Sequence, residues 1–114
     1  MTAKAVFPRD LARRDVEQAA EFYLDEAGEP AALGFVDEVE RVFGAIARSP
    51  AAGSPRYAYE LDLPGLRTWR LKRYPYLVFY LEREDHVDVW RVLHAQLDIP
   101  AWMPGPDGGS NRLG

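Results

Sequence analysis

Three strand-like runs follow one another between residues 66 and 98, and they constrain the fold more than any other part of the chain. Residues 66–73 alternate apolar and polar side chains, as a strand buried on one face requires. Residues 76–81 are apolar on both faces and therefore form the predicted central strand. Residues 87–94 supply the third strand. The breaks between the runs are short, which predicts an antiparallel meander.

Two amphipathic helices are predicted before the meander. Residues 10–27 carry one apolar face, and residues 31–48 carry an apolar stripe with i, i+3, i+4, i+7 spacing. Because Gly28-Glu29-Pro30 is the only connection between them, the helices should form an antiparallel hairpin. A short strand at residues 3–7, ended by Pro8, precedes the hairpin.

The predicted fold class is therefore α+β with the order β-α-α-β-β-β, in which the helix hairpin packs on one face of an antiparallel sheet. Residues 49–65 contain three prolines and two glycines and are predicted to form a long surface loop. Residues 99–114 are rich in proline and glycine and are expected to be a tail.

Composition excludes several classes of protein. At 114 residues the chain predicts one domain. No apolar run approaches the ~20 residues of a membrane span and no leader is evident, so we expect no membrane association and a cytoplasmic location. The chain has no cysteine and two histidines, which argues against disulfides, thiol nucleophiles and a zinc site. We expect neither a metal nor a cofactor.

Charge is divided unevenly along the chain, whose formal net charge is −4. Residues 10–41 hold ten acidic residues against three arginines, whereas residues 56–73 hold five basic residues against two acidic ones. General nucleic-acid binders are usually basic overall, because neutralising phosphates supplies most of their non-specific affinity. The sequence therefore predicts that any contact with an anionic partner is confined to one local basic patch.

Three short motifs carry a family resemblance: Leu-Pro-Gly-Leu-Arg at 63–67, Tyr-Pro-Tyr-Leu-Val-Phe-Tyr at 74–80, and Trp-Arg-Val-Leu-His at 90–94 with Asp98 after it. In this order, behind two helices, they resemble the RelE/ParE superfamily of toxins from type II toxin–antitoxin systems. The last motif is more similar to the ParE branch than to the RNA-cleaving RelE branch. The resemblance implies a toxin domain at residues 1–98 and the same fold.

The resemblance also implies partners. A ParE-like toxin acts by binding, with DNA gyrase as its implied target, and a cognate antitoxin neutralises it in a hetero-oligomer. The antitoxin of such a pair folds a partly disordered segment across the toxin. The seam between the helix pair and the sheet is the expected receiving surface. The predicted partner-binding residues are basic or aromatic: Arg67, Arg70, Lys72, Arg73, Arg91 and Trp102.

Two alternatives remain open from the residues alone. A RelE-like ribosome-dependent mRNA endonuclease would use Arg70 and Arg91 to stabilise the phosphate and His94 to transfer a proton. The other alternative is a structural or adaptor domain that has lost toxicity. Without chemistry, the arginines would form a solvated surface paired with acids, and His94 would be a hydrogen-bonded structural histidine. The acidic composition and the scarcity of basic residues after Asp98 favour the binding protein over the nuclease.

Overall fold

The computed structural model describes residues 3–97 and 99–102. Asp98, the side chain of Trp102 and most of the predicted tail lie outside the described residues. The elements follow in this order: β1 (Ala5–Pro8), α1 (Asp10–Ala27), α2 (Glu29–Arg48), a 3-10 turn (Pro50–Ala52), α3 (Arg56–Glu60), β2 (Leu66–Arg70), β3 (Tyr76–Glu82), β4 (His86–His94) and α4 (Ile99–Trp102).

The four strands form one sheet in the order β1-β4-β3-β2. Strands β2, β3 and β4 are the predicted antiparallel meander. The sheet as a whole is mixed, because β1 pairs in parallel with the first half of β4, from Ala5 opposite His86 to Pro8 opposite Val89. A parallel pair needs a long crossover, and here everything between β1 and β4 supplies it.

Strand β2 ends at Arg70, three residues before the end of the predicted run. The reason is the turn that follows, in which Arg73 has a φ of 71°. A left-handed backbone of this kind cannot continue a strand. Leu71 still bonds the neighbouring strand, through its N–H to the carbonyl of Tyr76 at 3.0 Å, and then the chain turns back into β3.

The helix hairpin covers one face of the sheet, as the apolar stripes predict. Phe35, Val39, Val42 and Ile46 of α2 are buried there against β3 and β4. Tyr74 and Tyr76 are partly buried and pack against the same cluster. This cluster is the larger of the two apolar cores.

The opposite face is also covered, and this corrects the prediction for residues 49–65. They are not a plain surface loop, because they contain the 3-10 turn and α3. Tyr57 and Leu63 from this segment pack on Phe79 of β3 and Trp90 of β4, joined by Ile99 of α4. A central strand that is apolar on both faces needs a cover on each, and the helix hairpin provides only one.

Among residues 3–97 and 99–102, no helix is long and apolar enough to cross a membrane. The same residues contain no group of three or more metal-ligating side chains placed to hold an ion.

Candidate functional site

Two of the predicted site residues, Arg91 and His94, lie in the last part of β4, just after a β-bulge. Phe79 of β3 lies opposite Arg91, whereas the next residue, Tyr80, lies opposite Val89, so Trp90 is the extra residue of β4. A bulge of this kind places two consecutive side chains on nearly the same side and bends the strand. Trp90 enters the outer core, and Arg91 is directed to the strand's edge beside α1.

Arg91 is held there by Asp15 of α1. The Nε and Nη2 atoms of Arg91 each donate a hydrogen bond of 2.8 Å to the Asp15 carboxylate. The same carboxylate accepts the backbone N–H of Val92 at 2.9 Å. Only 10% of the Arg91 side chain and 9% of the Asp15 side chain are exposed. A bidentate pair in this setting is a strong, geometrically specific contact.

His94 ends the strand and lies half-buried. Its ring meets the ring of Tyr76 edge to face, with centroids 5.1 Å apart. Its Nδ1 accepts the backbone N–H of Gln96 at 3.1 Å. Because Nδ1 is an acceptor in this bond, Nε2 is the nitrogen that carries the proton in the neutral ring. The imidazole is therefore placed by two local contacts at the end of the sheet.

A groove of about 280 Å³ lies between α1 and the end of β4. Phe22 of α1 and Leu97 form its apolar rim, and both are exposed. Gln18 and Ala19 line the helix side, and His94 lines the sheet side. This groove is a part of the predicted seam between helix pair and sheet that is open to solvent.

The other predicted cations lie on or just after β2, at the edge of the sheet farthest from β1. Arg67 of β2 is partly buried, and its Nη1 donates a 2.7 Å bond to the carbonyl of Gly53. Arg70, Lys72 and Arg73 are exposed and stand together at the end of β2 and in the following turn. We call these three residues the cationic edge.

Acidic and basic groups of α2 border the cationic edge. Glu38 accepts two bonds of 2.7 Å from Arg41 and one of 2.6 Å from the backbone N–H of Lys72. The hydrogen bond from Arg41 is the main reason that the pKa of Glu38 lies below its usual value. These residues, with Arg73 and Tyr74, line an open groove of about 440 Å³. The groove is of mixed charge.

The structure does not bring the three nuclease candidates together. Arg70 lies on β2, while Arg91 and His94 lie on β4, and β3 runs between the two strands. Arg70 is opposite Leu77 of β3, which is opposite Leu93 of β4. The Arg70 backbone is thus two strand spacings from β4, roughly 10 Å.

Asp88, a buried acid of β4, is one of two site residues that the sequence analysis did not single out. It accepts bonds from Arg9 at 2.8 and 3.0 Å, from Arg83 at 3.2 Å and from the indole N–H of Trp90 at 3.1 Å. Burial acts to raise the pKa of Asp88, but these hydrogen bonds outweigh burial and the pKa is lowered. The sequence did carry a signal for this site: an acid stands between Val87 and Val89 in a predicted strand, and a carboxylate buried there needs hydrogen-bond partners.

The other missed residue is Asp15. Nothing in the sequence separates it from the remaining acids of α1, because its role depends on β4, 76 residues further along the chain. The side chains that the sequence analysis proposed for phosphate binding are thus of two kinds. Arg91 is part of a buried ion pair, and the cationic edge is a solvent-exposed surface.

The architecture is a helix hairpin on a mixed four-stranded sheet. A solved chain described as "Chromosomal ParDE TA system from P. aeruginosa" has this fold, with a TM-score of 0.70 and 19% sequence identity over 82% of this chain and 98% of that one. No curated protein sequence matches the chain. The family model described as the ParE toxin of type II toxin–antitoxin system, parDE, matches residues 6–99.

The chain belongs to the ParE toxin family, since that match spans most of its length. It is the toxin component of a type II toxin–antitoxin system, as the three sequence motifs predicted.

Proposed function

We propose that this ParE toxin acts in the cytoplasm by binding its target and does not cleave RNA. DNA gyrase is the target that the family likeness implies, and a cognate antitoxin neutralises the toxin in a hetero-oligomer. The observation that carries the proposal is the buried ion pair between Asp15 and Arg91.

Cleavage of RNA through its own 2′-hydroxyl requires a base, an acid and cations placed around the reacting phosphate. For Arg91 to serve as such a cation, its guanidinium would have to leave the Asp15 carboxylate, which is buried between α1 and β4 and also accepts the N–H of Val92. Breaking one side of a buried pair is costly. This cost supports a structural role for Arg91.

The placement of the remaining candidates also supports binding. Arg70 is separated from His94 by β3, and His94 already contacts Tyr76 and Gln96. The cationic edge, by contrast, is exposed and suited to a large acidic partner, because exposed charges steer association without needing a fixed catalytic geometry.

The proposal is tested by inducing the toxin in cells without its antitoxin and following two processes over time. A gyrase-directed binding toxin should change DNA supercoiling and halt replication before translation slows. Purified toxin should inhibit supercoiling by purified gyrase and leave ribosome-bound mRNA intact. Rapid ribosome-dependent cuts in mRNA that disappear with His94→Ala would establish the RelE-like alternative instead.

A further inference from the structure

The cationic edge, formed by Arg70, Lys72 and Arg73, carries positive charge that is not engaged in ion pairs. Within the described part of the chain, none of these three side chains forms a hydrogen bond or an ion pair. Six other cations each pair with an acid: Lys4, Arg9, Arg41, Arg56, Arg83 and Arg91. Residues 63–81 contain no acid. The charge of the cationic edge is therefore available to a partner.

The turn that presents these cations is fixed on α2. The backbone N–H of Lys72 donates to Glu38 at 2.6 Å. The hydroxyl of Tyr74 donates to the carbonyl of Ala31 at 3.1 Å. Between these two contacts Arg73 keeps a φ of 71°, a left-handed backbone that persists only where the surrounding structure imposes it. The cations are thus displayed in a set arrangement before a partner binds.

The surface of the cationic edge lacks the apolar centre of a protein–protein interface. Between residues 70 and 74, all of which the structure describes, no large apolar side chain is exposed. Protein interfaces generally have an apolar core and a polar rim. Contacts to the phosphates of nucleic acids, by contrast, are made largely by arginine, lysine and polar groups. The composition of the edge therefore favours a phosphate backbone over a protein surface.

The distribution of charge favours one orientation toward such a partner. The cationic edge lies at β2, whereas the acids are concentrated in residues 10–41, which form α1 and most of α2. Duplex DNA carries about one negative charge per 1.7 Å of its axis, so its field attracts the cationic edge and repels the acidic helices. The protein should therefore approach DNA with this edge first.

We infer that the cationic edge binds the phosphate backbone of duplex DNA held by the target enzyme, so that the toxin contacts enzyme and DNA together. The inference rests on the proposed function, because gyrase is an enzyme that acts on DNA. The net charge of −4 disfavours binding to free DNA, so the contact depends on the enzyme. Asp37, which lines the groove beside Lys72 and Arg73, opposes the contact.

The first test compares the affinity of the full-length toxin for purified gyrase with and without a bound DNA duplex. The wild-type toxin should bind the gyrase–DNA complex at least about fivefold more tightly than gyrase alone. Arg70→Gln with Lys72→Gln should lose most of this difference and keep the affinity for DNA-free gyrase. The variant retains the backbone N–H that Glu38 accepts, so the turn should keep its shape. Arg13→Gln with Arg48→Gln makes the same change of net charge on the helices and is the control.

The second test measures how the same affinities depend on salt. Each phosphate contact releases counterions, so the logarithm of the binding constant falls by about 0.9 per contact for each decade of salt. For the gyrase–DNA complex, the double glutamine variant should therefore reduce the slope by about 1.8. For gyrase alone the slope should stay that of the wild type.

The third test changes single charges at the edge in both directions. Asp37→Asn removes the acid that opposes the contact, so the affinity difference due to DNA should rise by about twofold. Asp25→Asn at an exposed position of α1 is the control, and an equal effect of both changes would place the phosphates away from this edge. Arg73→Asn should lower the affinity difference without lowering the midpoint of thermal unfolding, because asparagine tolerates a left-handed backbone.

The outcomes separate the inference from the proposed function. If the toxin binds and inhibits gyrase but DNA adds nothing to its affinity, only the inference fails. The inference also fails if the double glutamine variant loses equal affinity for gyrase with and without DNA, because the edge then contacts an acidic protein surface. If the wild-type toxin binds gyrase in neither form, the proposed target is wrong, and both fail together.

Discussion

Asp15 and Arg91 join the first helix to the last strand through two hydrogen bonds of 2.8 Å, although they lie 76 residues apart in the chain. The pair lies beyond the end of β1, where no second strand among the described residues pairs with β4 on the side away from β3. The Asp15 carboxylate there accepts the N–H of Val92, as a neighbouring strand would otherwise do.

Removal of the carboxylate from this pair should destabilise the fold strongly. Asp15→Ala removes a carboxylate that accepts two hydrogen bonds from the buried Arg91 guanidinium and one from the N–H of Val92, and breaking this buried pair should cost about 3–5 kcal/mol in the free energy of unfolding. Urea unfolding measures the change. The control is Glu60→Ala, which breaks the exposed 3.5 Å pair with Arg56 and should cost less than about 1 kcal/mol. Similar small losses in both variants would mean that the buried pair is not a structural anchor.

Stability should fall in acid because of Asp88. Its pKa is lower in the folded protein than in the unfolded chain, so its contribution is complete above about pH 5 and is lost as the pH falls through the folded pKa. In Asp88→Asn the unfolding free energy should depend less on pH in this range. The same change at exposed Asp25 controls for the loss of one negative charge. Unaltered acid sensitivity in Asp88→Asn would contradict the assignment.

Two glycines of α2 should respond in opposite directions to alanine. A Cβ at Gly34 would lie 2.5 Å from the hydroxyl of Tyr74, which bonds the carbonyl of Ala31 and packs edge-on to Phe35. Gly34→Ala should therefore cost about 1–3 kcal/mol through overpacking.

The paired change, Gly44→Ala, has room, because the nearest atom is the end of the Arg48 side chain at 3.4 Å. Helix propensity should then stabilise the protein by about 0.5–1 kcal/mol. Thermal unfolding of both variants provides the comparison, and a gain in stability from Gly34→Ala would show that Tyr74 is not fixed against α2.

Charge reversal at the cationic edge should slow association with the antitoxin. Arg70→Glu combined with Lys72→Glu removes the exposed positive field, so the association rate at low salt should fall by about tenfold and become less sensitive to salt. Stopped-flow mixing measures both quantities. Arg13→Glu with Arg48→Glu makes the same change in net charge elsewhere and is the control. A rate and a salt slope like those of the wild type would remove the cationic edge from the encounter.

The helices and the meander could be predicted from the sequence because their signals are local. The run around Phe79 and Tyr80 is apolar on both faces, and both side chains are fully buried in an interior strand. The parallel pairing of β1 could not be predicted, since four residues carry too little pattern to select a partner about eighty residues away. That residues 49–65 pack on the second face of the sheet could have been predicted, because residues 76–81 are apolar on both faces.

The candidate site was harder to predict from the sequence than the helices and the meander. Arg91, Arg70 and His94 were recognised as residue types that suit phosphate chemistry, but their distribution over β2 and β4 depends on sheet order. The partner of Arg91 depends on a helix at the other end of the chain. The direction of the His94 backbone depends on one extra residue, Trp90, and bulges leave only a weak trace in sequence.

The pairing of β1 with β4 also determines when this protein can finish folding during its synthesis. Residues 5–8 leave the ribosome well before their strand partner, residues 86–89, because both helices and two strands lie between them. The hydrogen bonds of Lys4 to Glu82 and of Arg9 to Asp88 also cannot form until the later residue of each pair has been synthesised. Contacts between distant residues are slow to form because the intervening loop must close first. The apolar face of the nascent helix hairpin is therefore not fully covered until β4 has been synthesised.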